Sequence, residues 1–390
     1  MTGDLEADSN SLWAPHDPVA QVGKGRRILH IATRFLRGGA ERNIAHFIGW
    51  ELAAGYEVEV AFGPEADFAA VPEGIRAHAL RRLTRSIHPA NDLLAVREIR
   101  ALVRAGRYDM VHTHLSKAGV VGRIAARGLS PYVAHTVHMA SFGPGYTAVA
   151  SAFFRYAERR CGPLADTVVF VGRDLQQRYT DAGIAVGRSR LIRSPIDIEP
   201  LLASRSWDEM RRAQVRERLG IGPGRVMLAI GALHPRKRYR LMMGKLAPLL
   251  RESDARLAIA GDGGERDSLL RAAIRHGIAG RLHFLGDVHD IAEPLAVADL
   301  VVHTSSVEGV PQALVQAWAA GKPVVATDVT GLREIPGAPI TIVPPSGSGL
   351  AEAAARSLSS RPPAPLEPNV FRPWTHISID IEIAAFHASL

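Results

Sequence analysis

Ile28-Leu29-His30-Ile31-Ala32 is a short apolar run, and after Gly38-Gly39 the apolar positions change period to Ala40, Ile44, Phe47, Ile48 and Leu52. The first pattern reads as a buried strand and the second as one face of a helix, so the chain opens as strand, glycine loop, helix. The alternation returns at Val58–Phe62, a helix near Asp92–Arg104, Met110–His112, a helix across Gly119–Ala126 and a strand at Tyr132–Val137. A helix near Ala148–Arg160, a strand at Thr167–Val171 and a helix at Asp174–Ala182 complete the first half. The second half restarts it, with strands expected at Val226–Ile230, Arg256–Ala260, Leu282–Leu285, Leu300–His303, Pro323–Ala326 and Ile340–Val343, helices separating all but the last two.

Strand and helix alternating over short connections predict parallel strands crossed over by helices. No short repeat is present, which disfavours a solenoid. Residues 1–25 lack periodicity and carry Pro15, Pro18 and several acids, the pattern of a flexible tail. Ser194–Trp207, with Pro195 and Pro200, reads as a linker, and a second proline-rich break at Arg361–Pro365 precedes a last segment. The division expected is residues 26–195 as one α/β domain, joined by 375–390, and 196–374 as a second. Ligands in such doubly wound sheets bind at the carboxyl ends of the strands.

Composition narrows the class. The 390 residues suit two domains. With 47 % hydrophobic and 22 % charged residues the chain has material for real cores. A single cysteine, Cys161, forms no intrachain disulfide and no thiolate cluster, which fits a reducing cytoplasm. No apolar run reaches the roughly 18 residues of a membrane span and the first 25 residues have no secretory core, so a soluble or peripheral protein is expected. Of the 47 basic residues only five are lysine. Arginine bias follows from genomic composition or suits phosphate recognition, and both readings stand.

Four constellations carry candidate chemistry. Gly38-Gly39, before a helix start, reads as a phosphate cradle or as an ordinary tight turn. His138 ends the strand Val133–Val137 before the flexible-looking Ser141–Gly145, where it is placed to donate a hydrogen bond to a sugar or orient a nucleophile. His112, His114 and His135 lie in similar contexts, and a structural histidine is the alternative for each. His234-Pro235-Arg236-Lys237-Arg238 follows the Val226–Ile230 strand, where Arg236 and Lys237 would neutralise a diphosphate or form a solvated turn. The stretch Ser305–Asp328 reads as strand end, acidic loop, helix, strand, with Pro311 in the first helical turn and Gly321 at its stop. Glu308 then sits just before a helix start, as a hydroxyl acceptor or as an anion stabilised by the dipole.

No Asp-x-Asp pair lies in a strand-end loop, since Asp380-x-Glu382 falls in the last segment, and no histidine spacing supports a metal site. The reading is therefore metal-independent and without cofactor. Nucleic-acid binding lacks aromatic platforms or a recognition motif.

Glu308–Asp328, Gly261-Asp262-Gly263, Phe284-Leu285-Gly286 and Gly38-Gly39, in this order and spacing, resemble the retaining glycosyltransferases of family 4, over nearly all of residues 26–390. The resemblance implies the GT-B fold, two Rossmann-like domains facing a central cleft, and transfer from a nucleotide-diphospho sugar, a UDP-sugar such as UDP-GlcNAc or a UDP-hexose. It implies Gly38 and Gly39 beside the donor phosphates and acceptor, and His138 near the donor sugar's 6-hydroxyl. Lys237 and Arg236 would lie on the diphosphate and Glu308 on the sugar hydroxyls. Gly309, Val310 and Pro311 would supply the helix start, Gln316 would face the ribose and Val288 the base. Three positions depart from the family pattern: Gln316 replaces a glutamate, Ala232 or Leu233 an arginine, and Arg238 a glycine.

The acceptor stays open between a soluble small molecule and a lipid-linked one used in cell-surface polysaccharide, glycolipid or natural-product assembly. The Asp92–Arg104 helix sets Leu93, Leu94, Val96, Ile99, Leu102 and Val103 against Arg81, Arg82, Arg85, Arg97, Arg100, Arg104 and Arg107, which reads as peripheral membrane contact or as a packed surface helix. A sugar-nucleotide epimerase, a phosphorylase and a weakly catalytic sugar-nucleotide binding protein are the competing functions.

Overall fold

The computed structural model describes residues 21–35, 38–335, 337–362 and 364–389. The chain divides into two units, one running to Pro195 and resuming at Pro373, the other Ile196–Arg372.

The first unit is a parallel sheet of β1 (Arg27–Ala32), β2 (Glu57–Phe62), β3 (Arg76–Ala79), β4 (Met110–His114), β5 (Tyr132–Val137), β6 (Thr167–Phe170) and β7 (Ser189–Leu191), in the order β3-β2-β1-β4-β5-β6-β7. Every pairing is parallel. The second unit repeats the plan with β8 (Val226–Ile230), β9 (Arg256–Ala260), β10 (Leu282–Gly286), β11 (Leu300–His303), β12 (Val324–Thr327) and β13 (Ile340–Val343), ordered β10-β9-β8-β11-β12-β13. The order of winding reverses across β1/β4 in one sheet and β8/β11 in the other, and a doubly wound sheet opens a crevice at the carboxyl ends of such a strand pair.

Central strands read as near-continuous apolar runs because helices cover both faces. Met227, Leu257, Ile259 and Val302 are buried with Met243, Leu246 and Leu250 in the second unit. In the first, Ile28, Val60 and Val169 pack with Ile44, Phe47 and Ile48, and Leu29, Ile31 and Val111 with Ile99 and Val103. Each fully buried Val, Leu or Ile is worth roughly 1.5–3 kcal/mol.

The pattern missed β3 and β7, short edge strands: Arg76-Ala77-His78-Ala79 is largely exposed and Ser189-Arg190-Leu191 has a single large apolar residue. The expected linker contains a helix, Ile198–Ser204. Pro200 fits its first turn, where the missing N–H forfeits no bond. Of the expected tail, residues 1–20 lie outside the described residues. Residues 21–25 are tied to the core, through Gln21 Nε2 donating to the Ala53 carbonyl at 2.6 Å and the Gly23 N–H to that of Ala54 at 2.9 Å. The last helix, His376–His387, sends Ile379, Ile383 and Phe386 into the first unit's core.

Candidate active site

In the second unit the loops after β8 and β11 come together. Ser306 N–H donates to the Arg236 carbonyl at 2.9 Å, and the Thr304 hydroxyl to that of Lys237, also at 2.9 Å. These bonds carry Lys237 Nζ to 2.7 Å from Glu308 Oε1, with both side chains nearly buried. Gly231 makes room: its φ is +138°, and a Cβ there would stand 2.6 Å from Lys237 Cε. Gly331 does the same for the acidic loop, since at φ +84° a Cβ would press within 2.6 Å of the Gly309 carbonyl oxygen. The sequence marks Gly231 only as a turn after its strand and gives no sign of Gly331, because the close approaches they permit depend on how the loops fold.

Burial alone would raise the Glu308 pKa, but Lys237, Arg236 and His303 together lower it to about 2. It is a carboxylate at neutral pH, with lone pairs beyond the one Lys237 takes. His303, whose Nε2 is 3.7 Å from Glu308, is held down to about 4, first by burial and then by Lys237. His303 reads in the sequence only as the end of an apolar strand.

Gly309, Val310 and Pro311 lead into the helix Gln312–Ala319, which begins one residue after Pro311, so Pro311 is its cap and not its first turn. Gln316 is buried within that helix, and Val288 is half-buried just after β10. Since all six strands run parallel, these residues follow carboxyl ends on the same sheet edge as Lys237. Arg238, where the resemblance expects glycine, adopts φ +56°.

In the first unit Gly38 precedes, and Gly39 opens, the helix Gly39–Ala53. Glu41 folds back over this start, its Oε2 2.6 Å from where a Cβ on Gly38 would stand. An acid in the first turn is the dipole's ordinary partner, so a negative charge of the chain's own already lies at the expected phosphate cradle.

The structure separates the four histidines the sequence left level. His112, His114 and His135 are fully buried, and burial, their first cause, pushes each pKa well below the usual range. His138 alone of the four is partly exposed. Its Nε2 stands 3.3 Å from His114 Nδ1. The segment after it is not loose: Ser141 and Phe142 are buried, and the Ser141 hydroxyl lies 3.0 Å from Tyr179 Oη and 3.3 Å from Glu158 Oε1. Glu158 is itself paired with Arg123 at 2.7 Å. The nitrogens of His30, His112 and His114 fall within 4.8 Å of one another. Those of His30 and His114 are already engaged in hydrogen bonds to Glu51, to each other and to His138.

Family comparison gives the pattern a name. Residues 38–194 match the glycosyl transferase 4-like domain and residues 224–360 match glycosyl transferases group 1. The UDP-Gal:alpha-D-GlcNAc-diphosphoundecaprenol alpha-1,3-galactosyltransferase of Escherichia coli is 26 % identical over 69 % of this chain and 70 % of that protein. The GDP-mannose-dependent alpha-(1-6)-phosphatidylinositol monomannoside mannosyltransferase of Mycolicibacterium smegmatis is 27 % identical over 76 % of this chain and 79 % of its own. Anabaena HepE, crystallised with UDP and glucose, aligns at TM-score 0.72 with 22 % identity, covering 93 % of this chain and 99 % of that one. With two parallel α/β units of the GT-B kind and both family domains in order, the chain belongs to the group 1 glycosyltransferases of family 4.

Proposed function

We propose that this glycosyltransferase moves a sugar from a UDP-sugar, such as UDP-GlcNAc or a UDP-hexose, to an acceptor hydroxyl in cell-surface polysaccharide or glycolipid assembly, with retention at the anomeric carbon. The observation that carries the reading is the Lys237–Glu308 pair at the carboxyl edge of the second sheet, with Arg236 in the same loop. The bond from the anomeric carbon to the diphosphate breaks, the acceptor oxygen bonds that carbon on the same face, and the acceptor proton passes to the leaving phosphate, releasing UDP. Arg236 and Lys237 supply positive charge where the diphosphate develops its negative charge. Glu308, a carboxylate with one lone pair committed to Lys237, accepts from sugar hydroxyls. UDP as donor is supported by the UDP in the Anabaena structure and the E. coli relative's name, while the mycobacterial relative's name specifies GDP-mannose.

The lipid-linked acceptor is supported by the surface of the Pro89–Gly106 helix. Ala95, Ile99 and Val103 face the core, while Leu93 and Leu94 are exposed, as is Ile87 just before it, with Arg81, Arg82, Arg85 and Arg97 around them.

The test is thermal stabilisation of the full chain by UDP-, GDP- and dTDP-sugars, then turnover of the stabilising donor with a polyprenyl-diphosphate saccharide, reading the product's anomeric configuration by NMR. A selective UDP-sugar shift and a retained linkage support the reading. Product without acceptor would identify an epimerase, and product only with orthophosphate a phosphorylase.

A further inference from the structure

The helix Ala148–Cys161 is apolar on two sides. Its inner side carries Phe154, half-buried with its ring 5.8 Å from that of Tyr146, and then Glu158 and Cys161, both buried. Val149, Phe153 and Tyr156, at spacing i, i+4, i+7, form a second row along the outside and are 82, 53 and 63 % exposed. Ala148 and Ala152 are exposed between them. A surface helix packs on one apolar stripe, and a second, aromatic stripe left in water marks a face that something covers.

Charge identifies what covers it. Arg155, Arg159 and Arg160 are exposed beside the row, and Arg160 Cζ lies 6.0 Å from the Tyr156 ring centre. The one acid of the helix, Glu158, is turned inward and paired with Arg123 at 2.7 Å. The helix Ser116–Ala126 packs against both this helix and Pro89–Gly106; it contains no acid, exposes Ile124, and is followed by exposed Arg127. A second copy docked here by two-fold symmetry would set the same arginines against one another. An anionic bilayer satisfies both features, since its phosphates attract the arginines and its interface takes the rings.

We propose that the outer face of Ala148–Cys161 docks on an anionic bilayer, Val149, Phe153 and Tyr156 entering the interface while Arg155 and Arg160 meet lipid phosphates. This face adds to the cationic surface of Pro89–Gly106, and firm binding takes both, because one weak anchor holds a protein to a membrane only marginally. Residues 138–147 alone separate the end of β5 from the helix, and the Tyr146 hydroxyl donates back to the Ala140 carbonyl at 3.2 Å, so the docked face begins close to the sheet edge that carries His138. That a lipid-linked acceptor is met there rests on the glycosyl-transfer reading, whereas the contact with the bilayer does not.

The experiment is flotation of the full chain with vesicles of phosphatidylglycerol or of phosphatidylcholine. Wild type should float with the anionic vesicles and not with the neutral ones. Phe153→Ser with Tyr156→Ser should weaken the partition by about tenfold or more. Arg155→Gln with Arg160→Gln should weaken it too, and make what remains less sensitive to salt. All four side chains are exposed, so both variants should melt as wild type does and keep its turnover of a water-soluble acceptor. A wild-type chain that ignores phosphatidylglycerol, or floats equally with phosphatidylcholine, overturns the proposal, as does either folded variant that binds as wild type does. A wild-type dimer that the serine variant turns into a monomer by light scattering also overturns it and gives the face to a second copy. Absence of transfer by wild type would count against the reaction and leave the flotation results to decide the bilayer contact.

Discussion

Lys237 and Glu308 are 71 residues apart in the chain and 2.7 Å apart in space. They meet because β8 and β11 are neighbours at the point where the second sheet reverses its winding, and because Thr304 and Ser306 fasten one loop to the other. Two groups held as one unit should not act additively. Glu308→Gln and Lys237→Met should each lower kcat/KM by about 100-fold or more, while the double variant should be little worse than either alone. Kinetics of the three variants with the donor found by thermal shift provide the check, and losses that simply multiply would argue that the two residues work separately.

The pair also sets an acid limit. The folded pKa of Glu308, about 2, lies below its ordinary 4.5. A depressed carboxylate stabilises the fold fully above the unfolded value and loses that contribution as pH falls through the folded one, so the window runs from about 4.5 down to 2. The contribution is roughly 1–3 kcal/mol. Urea unfolding followed by tryptophan fluorescence should show wild type losing more stability than Glu308→Gln between pH 6 and pH 3. Glu51 titrates over the same range but is common to both proteins, so it cancels in the comparison. Equal losses would remove Glu308 from the acid response.

The alternation of apolar runs already indicated two parallel α/β units, since strands covered on both faces leave a plain signal in sequence. Edge strands such as Arg76–Ala79 do not, because they bury too little to need apolar residues. Glu308 was legible from its place before Pro311 and a helix, and Lys237 from its place after a strand. Their contact was not, because it depends on which strands neighbour one another, and sequence order does not say that β8 lies beside β11. The contact between His30 and His114 was hidden for the same reason: they belong to strands separated in the chain and adjacent in the sheet.

Gly231 is predicted to be intolerant of a side chain. Its φ of +138° disfavours any L-residue, and the added carbon would meet Lys237 Cε at 2.6 Å. Gly231→Ala should cost about 1–3 kcal/mol of stability and move Lys237 away from Glu308. Transfer should fall even at a temperature where the variant is fully folded by circular dichroism, and wild-type activity in the folded variant would dissociate Lys237 placement from catalysis.

Arg238 predicts the opposite sign. Its left-handed backbone, φ +56°, ψ +37°, costs a non-glycine residue roughly 1 kcal/mol, while its guanidinium recovers a bond to the Pro345 carbonyl at the surface. Arg238→Gly should therefore raise stability by about 0.5–1 kcal/mol, the left-handed strain relieved less the Pro345 bond lost, read as a melting temperature higher by a few degrees. A lower melting temperature would mean that the Pro345 contact outweighs the backbone strain.

The Pro89–Gly106 helix supplies the last prediction. Its first-turn acid, Asp92, is paired with Lys117 at 2.6 Å, and Glu98 accepts from the main-chain N–H groups of Arg81 and Arg82 at 3.2 and 3.3 Å. The surrounding surface, with Arg81, Arg82, Arg85 and Arg97 exposed, is left cationic beside exposed Ile87, Leu93 and Leu94. Apolar side chains entering an interface strengthen binding that basic residues direct to anionic lipid. Full chain should co-sediment with phosphatidylglycerol vesicles, weakly or not at all with phosphatidylcholine, and release as salt screens the arginines. Leu93→Asp with Leu94→Asp should abolish the co-sedimentation and spare turnover of a water-soluble acceptor. If the double variant binds vesicles as wild type does, this helix packs at the surface without meeting lipid.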